Sequence, residues 1–343
     1  MAASSARTGG RAGRVFVGIG LVVIILAALL SGAWYYLANR LDVAVRQAIE
    51  AAAGGGTELS CDGQEVFGYP FRLGLRCGAI AVAAPTKGVK ASAGALRTAA
   101  QIYDPAKVVG ELDGPLLLEA PGTSPLDIRW SLLQASTHFW TQGVDRLSVA
   151  VDKPDVALAG PAGARQPFAV SDRLEVHARR NGEDLDFAFS DENVRLAQPG
   201  LEAIPAFSLG ADLSVAGVAD WLGGERPGVT LAQALRSRSG TIRALVLTFA
   251  APASGSAEIA GPFSFDGEGR LSGRFDISLT DPAAIADLAG RLVPGAEGIA
   301  GTVASGIGLV GRTENGRTVL QVDVRDGRAS LGFIPLGRIP PIE

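Results

Sequence analysis

The sequence predicts a mostly β protein with a few helices, in which a single N-terminal transmembrane helix is followed by an extended antiparallel β-sheet able to curve. Three observations predict it. VFVGIGLVVIILAALLSGAWYYL, Val15 to Leu37, carries no charge over 23 residues. Glycine is abundant at 45 residues while aromatics are only 6%, and each interior glycine costs a helix roughly 1 kcal/mol, which favours strands joined by turns over a helical bundle. Several stretches alternate apolar and polar residues on either side of Asn-Gly or Asp-Gly pairs, the pattern of half-buried hairpins. With 47% of its 343 residues hydrophobic, the chain can bury one large core or two modest ones and is not disordered.

The apolar run is long enough as a helix for the roughly 30 Å hydrocarbon core of a bilayer. Arg7, Arg11 and Arg14 precede it without an acid, so the positive-inside rule holds residues 1–14 in the cytoplasm and sends the rest across. Trp34, Tyr35 and Tyr36 close the run where aromatic rings prefer the headgroup layer. The competing reading is a cleaved signal peptide, since Ser31-Gly32-Ala33 has small residues at the right spacing, but the run exceeds the usual ~7–15 apolar residues. Both readings export the body. Residues 38–56 continue as a helical stalk, with Leu41, Val45, Ala48, Ile49 and Ala52 near one stripe, until Gly54-Gly55-Gly56 stops it.

The exported body begins at residue 57 and runs to 343. The formal net charge is −4, and without the tail arginines the body is more acidic still, with no basic cluster interleaved with aromatics. Nucleic acid is therefore not an expected partner.

The only two cysteines bracket CDGQEVFGYPFRLGLRC, as Cys61 and Cys77. In an oxidising compartment two thiols are most simply partners. They are symmetric about Tyr69, within the turn signal Gly68-Tyr69-Pro70, and a hairpin folded there sets Cys61 opposite Cys77. Odd positions carry Cys61, Phe67, Tyr69, Phe71, Leu73, Leu75 and Cys77, and even ones carry mostly polar residues, broken once at Glu65-Val66. Closing this loop stabilises by about 3 kcal/mol on the chain-entropy argument. A redox pair favours Cys-x-x-Cys, and His138 and His177 make a poor zinc set with two thiolates.

Cys61, the run Gly68-Tyr69-Pro70-Phe71-Arg72 and Cys77, placed after an Arg-anchored span, resemble an alphaproteobacterial family known as domain of unknown function 2125. The C-terminal ASLGFIPLGRIPPI is similar to that family's ending. The resemblance spans nearly the whole chain and implies a Gram-negative inner-membrane protein facing the periplasm, and it brings no activity and no catalytic residues.

The rest reads largely as strands. RLEVHARR and EDLDFAFS flank Asn181-Gly182; a second hairpin turns at Asp266-Gly267-Glu268-Gly269 and a third at Asp326-Gly327. Helices are predicted for TLAQALRS, Thr230 to Ser237, and for DPAAIADLAGRL, capped by Asp281 with Pro282 in its first turn. The stretch from Val218 to Gly228 recurs 67 residues on, from Ile285 to Gly295, as a candidate duplication. Pro/Gly-rich joints fall at 120–125, 160–167 and 198–205, the last being the candidate sub-boundary.

No catalytic constellation stands out. Gly306, Gly308 and Gly311 fit G-x-G-x-x-G, but a turn rather than a helix follows. His138 and His177 read as strand residues. Glu183, Asp184, Asp186, Asp191 and Glu192 straddle a turn, where charge faces water, instead of forming a calcium loop. No cofactor, metal or catalytic residue is assigned, and a non-enzymatic role is expected. The first functional reading is an anchored envelope protein that binds a lipid or other amphiphile on aliphatic strand faces, broadly like anchored β-rich lipid-transport proteins. The second is an envelope scaffold that holds other envelope proteins at its strand edges. The third, an exported hydrolase, has no residue to argue for it.

Overall fold

The computed structural model describes residues 9–140, 143–160, 163–201, 204–224, 230–251, 255–282, 312–314 and 317–342, with the side chains of 9–12, 313 and 314 left aside. Helix α1 (Gly9–Gly54) is unbroken over 46 residues, so span and stalk are one element. Its apolar run projects into solvent on nearly every side. The described residues of the chain leave this surface uncovered, and its length and composition suit a membrane crossing. Among its described side chains Trp34 alone is buried, at 8% exposure.

Long strands follow, most of them interrupted near the middle. They are β1 (Glu58–Asp62) with β2 (Glu65–Phe67), β3 (Arg72–Cys77) with β4 (Ala79–Ala84), β5 (Val89–Ala93) with β6 (Leu96–Gln101), and β7 (Asp104–Leu112) with β8 (Leu116–Glu119). Next come β9 (Leu126–Arg129) with β10 (Leu132–Trp140), β11 (Gly143–Asp152) with β12 (Asp155–Ala159), β13 (Arg165–Val170) with β14 (Arg173–Asn181), and β15 (Asp184–Leu196), which crosses the line unbroken.

The interruptions form a crease. Register is kept, or slips by one residue, on passing it: Cys77 pairs Leu96 and Ile80 pairs Ala93, while Leu132 pairs Asp152 and Arg129 pairs Asp155. The chain bends at Gly78, Gly94, Gly114, Ser131, Lys153 and Asp172 in turn. Lys153 takes φ 51° and β15 passes the line with Asn193 at φ 55°. Backbone bonds bridge the bends, Gly94 donating to Asp113 (2.9 Å), Ser131 to Asp152 (3.0 Å) and Lys153 to Asp172 (2.9 Å), so few peptide groups go unpaired there. One antiparallel meander is thus folded into two arms. The first arm is β1, β4, β5, β8, β9, β12 and β13, and the second is β2, β3, β6, β7, β10, β11, β14 and most of β15.

Only the second arm continues. It gains β16 (Phe207–Val215), β17 (Ser239–Phe249), β18 (Ser256–Phe265), β19 (Leu271–Thr280), β20 (Arg312–Glu314), β21 (Arg317–Arg325), β22 (Arg328–Leu331) and β23 (Ile334–Arg338), all antiparallel. The core cluster lies here: Phe275, Leu279, Leu320, Val322, Val324 and Leu331 are buried together. β15 pairs β16 across the joint at 198–205, so the sheet passes that joint intact and what ends there is the first arm.

The predicted turns at Asn181-Gly182, 266–269 and Asp326-Gly327 join β14 to β15, β18 to β19 and β21 to β22. The helix predicted from Thr230 to Ser237 is shorter. As α2 (Leu231–Leu235) it starts on a capping box between Thr230 and Gln233, and stops when Arg236 turns extended and Ser237 takes φ 59°. Residues Ala219–Gly223 form a 3-10 turn. Their candidate repeat from Ile285, the helix predicted beyond Pro282 and the glycine motif at 306–311 lie outside the described residues.

The cysteine hairpin needs a correction. Glu65 pairs Arg76 and Phe67 pairs Gly74, which centres the turn between Pro70 and Phe71 instead of on Tyr69. Cys61 therefore sits opposite Ile80 and Cys77 opposite Leu96. The loop is wider than the symmetric hairpin, with six residues between Phe67 and its partner Gly74: inside it Arg72 N–H donates to the Gly68 carbonyl at 2.9 Å, closing a five-residue turn, and Gly68, at φ 107°, has no room for a Cβ against Arg72. The shift puts Val66 beside Leu75 and sends Phe67 to the other face, under the Arg76 guanidinium at 5.5 Å. That is why the alternation breaks at Glu65-Val66.

Candidate functional site

Cys61 and Cys77 are bonded, with Cα atoms 5.1 Å apart. Residues directly opposite in a ladder share a face. Cys61 thus lies on the first arm's face with Ile80, and Cys77 on the second arm's face with Leu96. One bond joins both faces, so they turn toward each other across the crease.

Both faces are apolar. On the first arm a row of ladder partners runs Val82, Ala91, Leu118, Leu126, Leu158, whereas its other face carries Asp127, Arg129, Asp155 and Arg165. On the second arm a row passes through Val66, Leu75, Thr98, Gly110, Ala135, Val149, Val176, Phe189, Ala211, Leu245, Ile259, Ile277 and Leu320. None is charged. At about 4.8 Å per strand the row is roughly 58 Å long.

Burial on these faces is graded. Beside the crease Cys77, Ala93, Val151 and Val194 are buried, Cys77 at 2% exposure, while toward the rim Leu147 is 38% exposed. The result is a trough with a closed floor and open lips. Past the crease the same face opens into a pocket of about 440 Å³ lined only by apolar side chains, among them Leu213, Ile242, Leu245, Ile259, Phe263 and Phe275, with Leu235 of α2 and Ile339 also in its lining.

The Gly68-Tyr69-Pro70-Phe71-Arg72 motif does not enter the trough; it packs on α1. Trp34 Nε1 donates to the Arg72 carbonyl at 2.7 Å, the Ser31 and Tyr69 hydroxyls lie 2.7 Å apart, and the Trp34 and Tyr69 rings meet edge to face at 5.4 Å. Ile102 N–H donates to the Phe71 carbonyl, so the next hairpin tip lies beside the turn. Sequence reasoning missed this contact; its signal was aromatics ending the span and aromatics in the turn.

Polar groups on the opposite faces are mostly neutralised in pairs. Asp186 is buried; burial pushes its carboxyl up, but hydrogen bonds from Arg179, Ser214 and Arg243 and the charge of Arg243 hold it below the usual carboxylate range. The Arg129 hydrogen bond likewise lowers Asp127 against burial, with help from Arg165. His138 lies 3.5 Å from Asp145 and His177 3.1 Å from Glu175, both half-exposed. The acids near the Asn-Gly turn separate: Asp184 accepts from Gly217 N–H, Asp186 takes the arginines, and no three potential ligands gather for a metal among the described residues. Asp191 differs. It lies on the apolar face between Leu174 and Leu209, its Oδ1 is buried without a hydrogen-bond partner, and burial raises its carboxyl despite a hydrogen bond with Ser171.

Fold and site together define a class: a β-sheet protein with one apolar N-terminal helix of membrane-crossing length, a disulfide at its crease and a half-open apolar face. Within that class the chain belongs to the family described as uncharacterized protein conserved in bacteria, DUF2125, which it matches over residues 34–340. The match begins at Trp34, the helix residue that packs on the turn. No curated protein matches the chain.

Proposed function

We propose that the protein is held in a bacterial inner membrane by α1, with its N-terminus in the cytoplasm and its sheet in the periplasm, and that it binds a lipid or other amphiphile along the trough without catalysing a reaction. The observation that carries this reading is the uncharged row across thirteen strands, which leaves an aliphatic surface half-open where a folded core would seal it. Exported topology is supported by Arg7, Arg11 and Arg14 ahead of the span and by the disulfide.

Native mass spectrometry of the full chain extracted from bacterial membranes tests it. Adducts of phospholipid mass are expected, and Leu147→Asp or Leu245→Asp should reduce them several-fold while the fold survives, because both side chains are more than a third exposed. A chain free of lipid that instead retains stoichiometric envelope proteins would establish the scaffold role and overturn binding.

A further inference from the structure

The turn at 68–71 and the neighbouring tip at Tyr103 have exposed aromatic side chains that no core absorbs: Phe71 is 60% and Tyr103 76% exposed. Their position relative to α1 is fixed by three contacts. Gln64 Nε2 donates to Asp42 Oδ1 at 2.7 Å, Trp34 reaches the Arg72 carbonyl, and Tyr69 reaches Ser31. As the strand advances from Gln64 to Tyr69, its helix partner retreats from Asp42 to Ser31. β2 therefore runs down the helix toward its apolar end, and the hairpin tips of the second arm point the same way. Ser31 lies six residues inside the end of the uncharged run at Leu37, about 9 Å along the axis. That depth matches the roughly 5–10 Å to which interfacial segments enter the headgroup and acyl boundary.

We infer that these two tips are a second membrane contact: Tyr69, Phe71 and Tyr103 sit in the interfacial layer of the bilayer that α1 spans, and lock the sheet upright on it. The occupant of this surface is phospholipid. Tyrosine and phenylalanine at this level suit the boundary between headgroups and chains. Arg72 and Lys107 line one surface pocket beside the tips together with Asp104; among the described residues neither cation has a carboxylate within ion-pair distance, and both can meet anionic headgroups. Seated so, the first strands of the trough stand on the lipid surface.

The inference rests on the anchor reading, and the test separates the two. Photoreactive benzoylphenylalanine is placed singly at Leu26, Phe71, Tyr103 or Phe333 of the full chain, in nanodiscs of phosphatidylethanolamine and phosphatidylglycerol. Phe333 is 93% exposed and far along the sheet in sequence. Lipid-mass adducts are expected at positions 26, 71 and 103, several-fold above position 333. Adducts at 26 alone overturn the interfacial seating and leave the anchor standing. No adduct at 26 overturns the anchor and the seating with it. Protein-mass adducts at 71 and 103, or equal lipid labelling at 333, also overturn the seating.

Discussion

Between residues 58 and 196 the sheet folds along a crease, and its apolar side chains grade from buried at the floor to half-exposed at the lips. Between 207 and 338 the same alternation continues on one arm only, and there it buries Phe275, Leu279, Leu320, Val322, Val324 and Leu331 as a cluster. Both regions are built of like strands, yet the second packs a buried cluster beside its open apolar pocket, while the first keeps an apolar surface tied by a covalent bond and gathers no such cluster among the described residues. Period-two patterning makes a face apolar; whether that face becomes core or binding surface depends on what lies across from it.

If that contrast is real, Phe275→Ala should cost most, about 3–5 kcal/mol, as expected for removing a buried aromatic ring. Urea unfolding of the full chain in detergent would show it; a loss below about 1 kcal/mol would mean the C-terminal cluster is no more a core than the trough is. Next comes the double change Cys61→Ser with Cys77→Ser, expected to cost about 3 kcal/mol. Hydrogen exchange should rise in β1 to β8 and stay unchanged in β18 to β21; a uniform rise would show that the regions are one cooperative unit.

The smallest effect sharpens the description of the trough itself. Asp191 has its folded carboxyl raised, so the unfolded chain ionises first, and stability from this group is present in acid and is lost as pH rises through the folded value. Asp191→Asn should therefore stabilise the protein at neutral pH, with the gain shrinking as the medium is acidified below the ordinary carboxylate range. An equal gain at both ends of that range would show that the aspartate is not held in an apolar setting.

Much of this was legible in the residues. Val15 to Leu37 reads as a span without help, and Asn181-Gly182 and Asp326-Gly327 mark their hairpins because few other pairs accept those turn dihedrals. The cysteine partnership followed from number and from the expected export, but its register did not, since Phe67 pairs Gly74, three residues beyond the Phe71 that a turn centred on Tyr69 would place opposite it. The crease was written in Gly78, Gly94, Gly114-Pro115 and Lys153-Pro154, yet each looks like an ordinary break until the strands are aligned. The Thr230 helix was overestimated because the exit at Arg236 and Ser237 is set by tertiary contact: Ser237 N–H donates to Asp266.

The sequence by itself determined the apolar helix, the alternation of the strands, most of the turns and the pairing of two thiols, because each follows from chemistry within a few residues. Only the tertiary structure decided that successive breaks align into one line, that two apolar faces turn toward each other, and that Trp34 meets Tyr69. Those depend on register between residues far apart in the chain, which local propensity does not encode and which a shift of one residue reverses.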